Sequence, residues 1–215
     1  MKPRVVADDD AGRAEAIQAL RDGGLVAFPT DTVYGIAVRL DAPGGVEALF
    51  RAKRRPPDRG IVLLLGEASQ ASAIGQWPRG AAALADAFWP GGLTIVVSQP
   101  PEVPLPADLT GGTDTIGLRV PDHSTPRAIA RAVGPLPTTS ANRSGSAEAR
   151  TAAEIVDRFG DALAVVIDGG PARGAIASTV VDCSTPRVTI LRAGAISSER
   201  IAAVLDAIGI AHGIA

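Results

Sequence analysis

The sequence predicts an α/β protein, a mixed sheet with helices packed against it, and three observations carry that expectation. Apolar runs of strand length are interspersed with segments whose apolar residues recur at helical spacing. Several strand-like runs follow one another late in the chain, which a strict strand–helix–strand repeat does not give. The 215 residues hold no internal repeat, no low-complexity tract and no linker long enough to divide them. A single domain over residues 1–215 is therefore expected, with its core at about 10–197, a last helix to about 208 and a frayed tail.

Taken in order, Asp10 to Gly24 reads as a helix: Ala14, Ile17 and Leu20 share a face, Asp10 caps, and Gly23 and Gly24 stop it. Leu25 to Phe28 is a short strand ending at Pro29. Gly45 to Lys53 is a second helix with Val46, Leu49 and Phe50 inward. Ile61 to Leu65 is continuously apolar, as in a strand buried on both faces. Ala68 to Ile74 and Arg79 to Phe88 read as helices, and Leu93 to Val97 and Thr115 to Val120 as strands. Between those strands lies a loop rich in Pro and Gly. Thr125-Pro126 opens a helix closed by Gly134, and Thr151 with Glu154 forms a capping-box pattern for a helix to Phe159. Leu163 to Ile167, Thr179 to Asp182 and Val188 to Leu191 are strands. Ser197 caps a last helix through Ile208, closed by Gly209.

Composition narrows the chemistry. With 46% hydrophobic and 20% charged residues, the chain can bury a core without staples. A net charge of −2 gives no global attraction for nucleic acid or an anionic membrane. The one cysteine, Cys183, cannot form an internal disulfide, and the two histidines, His123 and His212, cannot build a histidine metal centre, so no protein metal site is expected. Nothing resembles a signal peptide or a membrane span, so the expected location is the cytoplasm. Only Lys2 and Lys53 are lysines among the 21 basic residues, which draws attention to the interior Lys53.

Four segments are more polar than a scaffold needs. Pro29 to Gly35 follows a strand, where α/β ligands usually sit; its plain alternative is a turn with Asp31 capping and Gly35 at positive φ. Arg51 to Arg59 carries five cations and one acid, and its arginines suit bidentate grip on phosphate. Thr138 to Gly145 is a row of hydroxyls with an amide and a glycine, able to bind phosphate or carboxylate; composition alone favours a Ser/Asn-rich loop. Gly169 to Gly174, Ala177 to Thr179 and Leu191 to Gly194 suggest tight loops beside a ligand. No P-loop, dinucleotide fingerprint or nucleophile elbow occurs. His123 reads as a surface or capping residue rather than a base.

As an ordered set these segments resemble the YrdC-like family of threonylcarbamoyl-AMP synthases. The matching blocks are FPTDTVYG (Phe28 to Gly35), K-x-R-P (Lys53 to Pro56), FWPGGLT (Phe88 to Thr94), TIGLRVPDH (Thr115 to His123), TSANRSG (Thr139 to Gly145), STVVD and LRAGAIS. The resemblance implies a twisted α/β sheet around a concave, positively charged cavity. It also implies synthesis of threonylcarbamoyl-AMP and pyrophosphate from ATP, L-threonine and bicarbonate, for threonylcarbamoylation of adenosine 37 in tRNA. Mg2+ would come with ATP, and tRNA-modification proteins would receive the product. By this resemblance Lys53, Arg55, Ser140 and Asn142 form the catalytic polar tetrad. Arg55, Arg59, Thr115, Ser140 and Arg192 bind ATP. Thr32, Arg119, Thr138 and Ser178 bind threonine, with Tyr34 beside Thr32. Three positions depart from the family pattern: Gly60 stands for a proline, Leu64 or Leu65 for a histidine, and Gly92 for a proline. The extra C-terminal domain of longer members is not expected. Two alternatives stay open at this level: an RNA-binding module using Arg51 to Arg59, or at least a weak RNA contact there, and a related domain that makes carbamoyl-AMP.

Overall fold

The computed structural model describes residues 2–54, 60–103, 105–143, 147–172, 174 and 176–214. Its strands are β1 (Arg4–Ala7), β2 (Val26–Phe28), β3 (Gly35–Ala37), β4 (Val62–Leu64), β5 (Leu93–Ser98), β6 (Thr115–Arg119), β7 (Leu136–Ser140), β8 (Val165–Asp168), β9 (Thr179–Asp182) and β10 (Thr189–Arg192). The helices are α1 (Asp10–Arg21), α2 (Gly45–Lys53), α3 (Arg79–Phe88), α4 (Ala107–Thr110), α5 (Ser124–Val133), α6 (Ala152–Phe159) and α7 (Ser198–Ala207), with 3-10 turns at Ala68–Ala73 and Gly160–Ala162.

All ten strands join one mixed sheet in the order β1-β8-β2-β3-β7-β4-β6-β5-β9-β10. β8 runs parallel to both β1 and β2, β4 parallel to β6 and β5 parallel to β9; the remaining pairs are antiparallel. The period-2 alternation of strand side chains divides the apolar residues between two cores. Val26, Phe28, Val165 and Ile167 pack with Ala16 and Leu20 of α1 and Ile129 of α5. Ala27 and Val166, their alternates, join a larger core with Leu49 and Phe50 of α2, Leu84 and Phe88 of α3, Ile155 of α6 and Leu205 of α7.

The expected class and most element positions hold. The helix at 45–53, the helix at 79–88 and the strand at 179–182 have the expected bounds. Ile61, Leu63, Leu64 and Leu65 are buried, but Val62 is half-buried, so the expected burial on both faces holds only in part. Several readings need correcting. Asp9, not Asp10, caps α1, its carboxylate accepting the Gly12 N–H at 2.8 Å. Ala68–Ala73 is a 3-10 turn, and the Pro/Gly loop contains the short α4. β1, β3 and β7 were not legible as strands. β3 has three residues beginning with glycine, and β7 mixes Pro137 with three hydroxyl side chains. Gly35 lies in β3, not at positive φ. The tail is tied down through Ile214: Val188 pairs with His212, and Gly213 N–H donates to the Val188 carbonyl at 2.9 Å. His123 caps α5 as expected, accepting from Thr125 N–H, with its side chain 7% exposed.

Candidate active site

One cavity of about 400 Å3 opens along the central and β10-side strands. Alternation again builds it. β5 turns Thr94 and Val96 toward the cavity while Ile95 and Val97 enter the core. β6 turns Thr115, Gly117 and Arg119 toward it, with Leu118 in the core. Val62 and Leu64 of β4, Thr138 and Ser140 of β7, Val180 of β9 and Arg192 of β10 complete the wall, and Thr30, Thr32 and Tyr34 enter from the β2–β3 turn. Gly117 keeps the floor open, because a Cβ there would stand 3.3 Å from the Thr94 methyl and 3.6 Å from a Val62 methyl.

Three polar clusters line or back this cavity. In the first, Arg119 is buried, with a side chain only 7% exposed. Its Nε donates to the Gly91 carbonyl at 2.9 Å, Nη1 to Thr32 Oγ1 at 3.0 Å and Nη2 to Asp31 Oδ1 at 2.7 Å. Burial pulls the Arg119 pKa down, the adjacent Asp31 carboxylate pushes it back up, and Arg192 lowers it again. In the second, Arg192 donates through Nε and Nη2 to the Ser178 carbonyl at 3.2 and 2.8 Å, and through Nη2 to Ser178 Oγ at 3.1 Å. Ser178 Oγ also lies 2.8 Å from Thr94 Oγ1. Burial lowers the Arg192 pKa, and Glu148 acts in the opposite direction.

The third cluster lies behind β7. Lys53, buried at the end of α2, donates to the Ser140 carbonyl and, at 2.9 Å, to Asn142 Oδ1. Ser140 Oγ donates to the same Asn142 oxygen at 2.7 Å. Lys53 and Asn142 thus fix the end of β7, where Ser140 reaches the cavity, without lining it themselves. α2 ends with Arg54 in the left-handed region at φ 51°, an uncommon conformation for a non-glycine residue, which terminates the helix directly after Lys53.

The structure therefore brings Thr32, Thr115, Arg119, Thr138, Ser140, Ser178 and Arg192 into one cavity, with Lys53 and Asn142 against its wall. Arg55 and Arg59 lie outside the described residues. Sequence reasoning gave Asp31 no role beyond a turn cap, yet it pairs with Arg119. It also left Tyr34 without a partner. The Tyr34 hydroxyl donates to the Gly170 carbonyl at 2.7 Å and accepts from Gly169 N–H at 3.1 Å, tying the glycine loop to the turn. Burial raises the Tyr34 pKa, against the Gly169 hydrogen bond. Gly174 packs directly against Thr32: a Cβ there would be 2.4 Å from the Thr32 carbonyl oxygen.

Among the described residues, a mixed sheet carries two arginines and a row of hydroxyls into one hollow, an arrangement chemically able to receive a small ligand with anionic groups. The profile of the Sua5/YciO/YrdC family, described as telomere recombination, matches residues 18–194, and the chain belongs to this family. It is similar to the threonylcarbamoyl-AMP synthase of Bacillus subtilis, at 34% identity over 208 residues, 96% of this chain and 60% of that protein. A relative in Mycobacterium tuberculosis is 39% identical over 195 residues, 90% of this chain and 89% of its own. Among solved structures, Pyrococcus abyssi Sua5 in complex with L-threonine superposes with a TM-score of 0.89 at 31% identity, covering 99% of this chain and 62% of that one. The chain thus spans about three fifths of the Bacillus and Pyrococcus proteins and nearly all of the mycobacterial one.

Proposed function

We propose that this chain is a threonylcarbamoyl-AMP synthase, a nucleotidyltransferase that converts ATP, L-threonine and bicarbonate into threonylcarbamoyl-AMP and pyrophosphate. The observation that carries this reading is the convergence of Arg119 and Arg192 with Thr32, Thr115, Thr138, Ser140 and Ser178 in one cavity. The names of the Bacillus relative and the Pyrococcus complex support the same substrates. Arg119 would take the threonine carboxylate, with Thr32, Thr138 and Ser178 around the amino acid. Arg192, Thr115 and Ser140, together with Arg55 and Arg59, would hold the nucleotide, and Lys53 and Asn142 would set Ser140 in place.

The neutral threonine amine attacks carbon dioxide, or bicarbonate with loss of water, and gives up a proton as the carbamate forms. A carbamate oxygen then attacks the α-phosphorus of ATP; the new O–P bond forms as the bond to the β-phosphate oxygen breaks, and pyrophosphate departs. No protein nucleophile takes part. The chain contributes positioning and charge neutralisation, each preorganised donor to a transition-state charge being worth about 3 kcal/mol. Mg2+ would enter with the nucleotide as MgATP, held chiefly by its phosphates. The product would pass to tRNA-modification proteins.

Mass spectrometry of a reaction containing ATP, threonine and bicarbonate tests the proposal. The expected result is an adduct of AMP with carboxylated threonine, plus pyrophosphate, lost when either threonine or bicarbonate is omitted. ATP turnover that needs carbamoyl phosphate instead would overturn it.

A further inference from the structure

We infer that Asp31, which does not line the cavity, is a positioning residue for the amino-acid substrate and acts by aiming the Arg119 guanidinium. This rests on the proposed function, in that the ligand of Arg119 is taken to be the carboxylate of an amino acid.

Three observations carry the inference. The first is geometric. Arg119 has five N–H groups, and the Gly91 carbonyl, Thr32 Oγ1 and Asp31 Oδ1 occupy three of them, one on each nitrogen. Among the described residues the other two N–H groups, one on each terminal nitrogen, have no protein acceptor and suit a planar carboxylate. Asp31 Oδ1 is the charged member of the three acceptors, and at 2.7 Å it makes the shortest contact.

The second is direction. Thr30 Oγ1 donates to the Val33 carbonyl at 2.6 Å, so in its 3.2 Å contact with Thr32 Oγ1 it must accept. Thr32 therefore donates to Thr30 and accepts from Arg119, giving a one-way chain from Arg119 through Thr32 and Thr30 to the Val33 carbonyl. The turn that carries Asp31 thus grips the guanidinium at two neighbouring residues, and its hydroxyl protons have no second arrangement among these partners.

The third is cost. Removing a carboxylate and a guanidinium from water is expensive, and apolar residues of similar size commonly stabilise a fold as well or better. Pairs such as Arg39 with Asp41 stand in more solvent, where that cost is small, and the shielded pair Arg13–Asp8, 22% and 15% exposed, lines no part of this cavity. The Asp31–Arg119 pair is retained with side chains 16% and 7% exposed, against the wall of the one cavity described above. Asp31 sits behind that wall, so its influence on a ligand must pass through Arg119.

The test uses the whole chain, with Asp31→Ala, Asp31→Asn, Arg119→Ala and the Asp31→Ala/Arg119→Ala double variant, each checked for folding by circular dichroism. Threonine affinity is read by calorimetry, and KM values for threonine and ATP by pyrophosphate release. Asp31→Ala should weaken threonine binding about 10-fold or more, the scale of a charge-assisted hydrogen bond, and leave the KM for ATP unchanged. Asp31→Asn keeps an acceptor oxygen at the same place and should restore threonine affinity to within about 3-fold of the parent. The double variant should bind threonine no more weakly than Arg119→Ala alone. Unchanged threonine affinity in Asp31→Ala overturns the inference. So does a loss in Asp31→Asn as large as in Asp31→Ala, or an additive loss in the double variant. A parent protein that binds threonine but forms no adenylate, with this pattern intact, overturns the proposed reaction and leaves the role of Asp31 standing. A parent that binds no threonine overturns both.

Discussion

The two arginines of the cavity stand in opposite kinds of place. Arg119 is on β6, paired with strands on both sides, and is held by two side chains and a carbonyl, one of them a carboxylate. Arg192 is on β10, at the edge of the sheet beside the exposed Leu191, and among the described residues it leans on Ser178, with Glu148 acting on it from farther off. The first cation comes with its counter-charge and its direction already fixed, and reorganises little when a ligand arrives. The second is parked on a backbone carbonyl, a neutral acceptor that a phosphate oxygen readily outcompetes. Under the proposed function this difference is a division of labour: a rigid seat for the small substrate and an adjustable arm for the large, flexible one.

That contrast makes ordered predictions. The largest effect is expected for Arg119→Ala, with a fall of at least about 100-fold in threonine-dependent adenylate formation. Stability should fall by about 3 kcal/mol as Asp31 loses its partner, read from pyrophosphate release and urea unfolding. Next comes Arg192→Ala, where the KM for ATP should rise about 10-fold while stability changes by less than about 1 kcal/mol. Equal destabilisation by the two substitutions would break the comparison. The smallest is Tyr34→Phe, which keeps the buried ring but removes the link to Gly169 and Gly170, at a cost of about 1 kcal/mol. Its pH dependence sharpens the point. A phenol whose pKa is raised by burial contributes stability fully present below its unfolded value of 10.0 and lost as pH rises through the folded value. The parent should therefore lose stability above pH 10 more steeply than Tyr34→Phe, in denaturant titrations across that range.

How much of this was readable beforehand varied with the kind of signal. Thr-Ile-Gly-Leu-Arg at 115–119 alternates strictly, so both the strand and the face carrying Arg119 can be seen in it. Lys53 stood out as an interior lysine and is indeed buried. β7 was lost because Pro137 and three hydroxyls spell a loop by local chemistry, and only its neighbours β3 and β4 make it a strand. Asp31 failed for a related reason. In the chain it is a turn carboxylate like any other, and its partner on β6 is supplied by tertiary structure. The cavity floor at Gly117 was also hidden, since a glycine in a strand states nothing about what lies across from it.

The strand order has a consequence for how the molecule comes into being. β8 is wedged between β1 and β2, and β9 docks on β5, so the side of the hollow that carries Ser178, Val180 and Arg192 waits for residues from the last quarter of the chain. Until Val165 to Asp182 arrive, the facing edges of β1 and β2 and the outer edge of β5 have no partner strand in this sheet order. Pairings this distant in sequence slow folding. They also mean that a fragment ending before β9 should bind neither substrate, however well its own helices form.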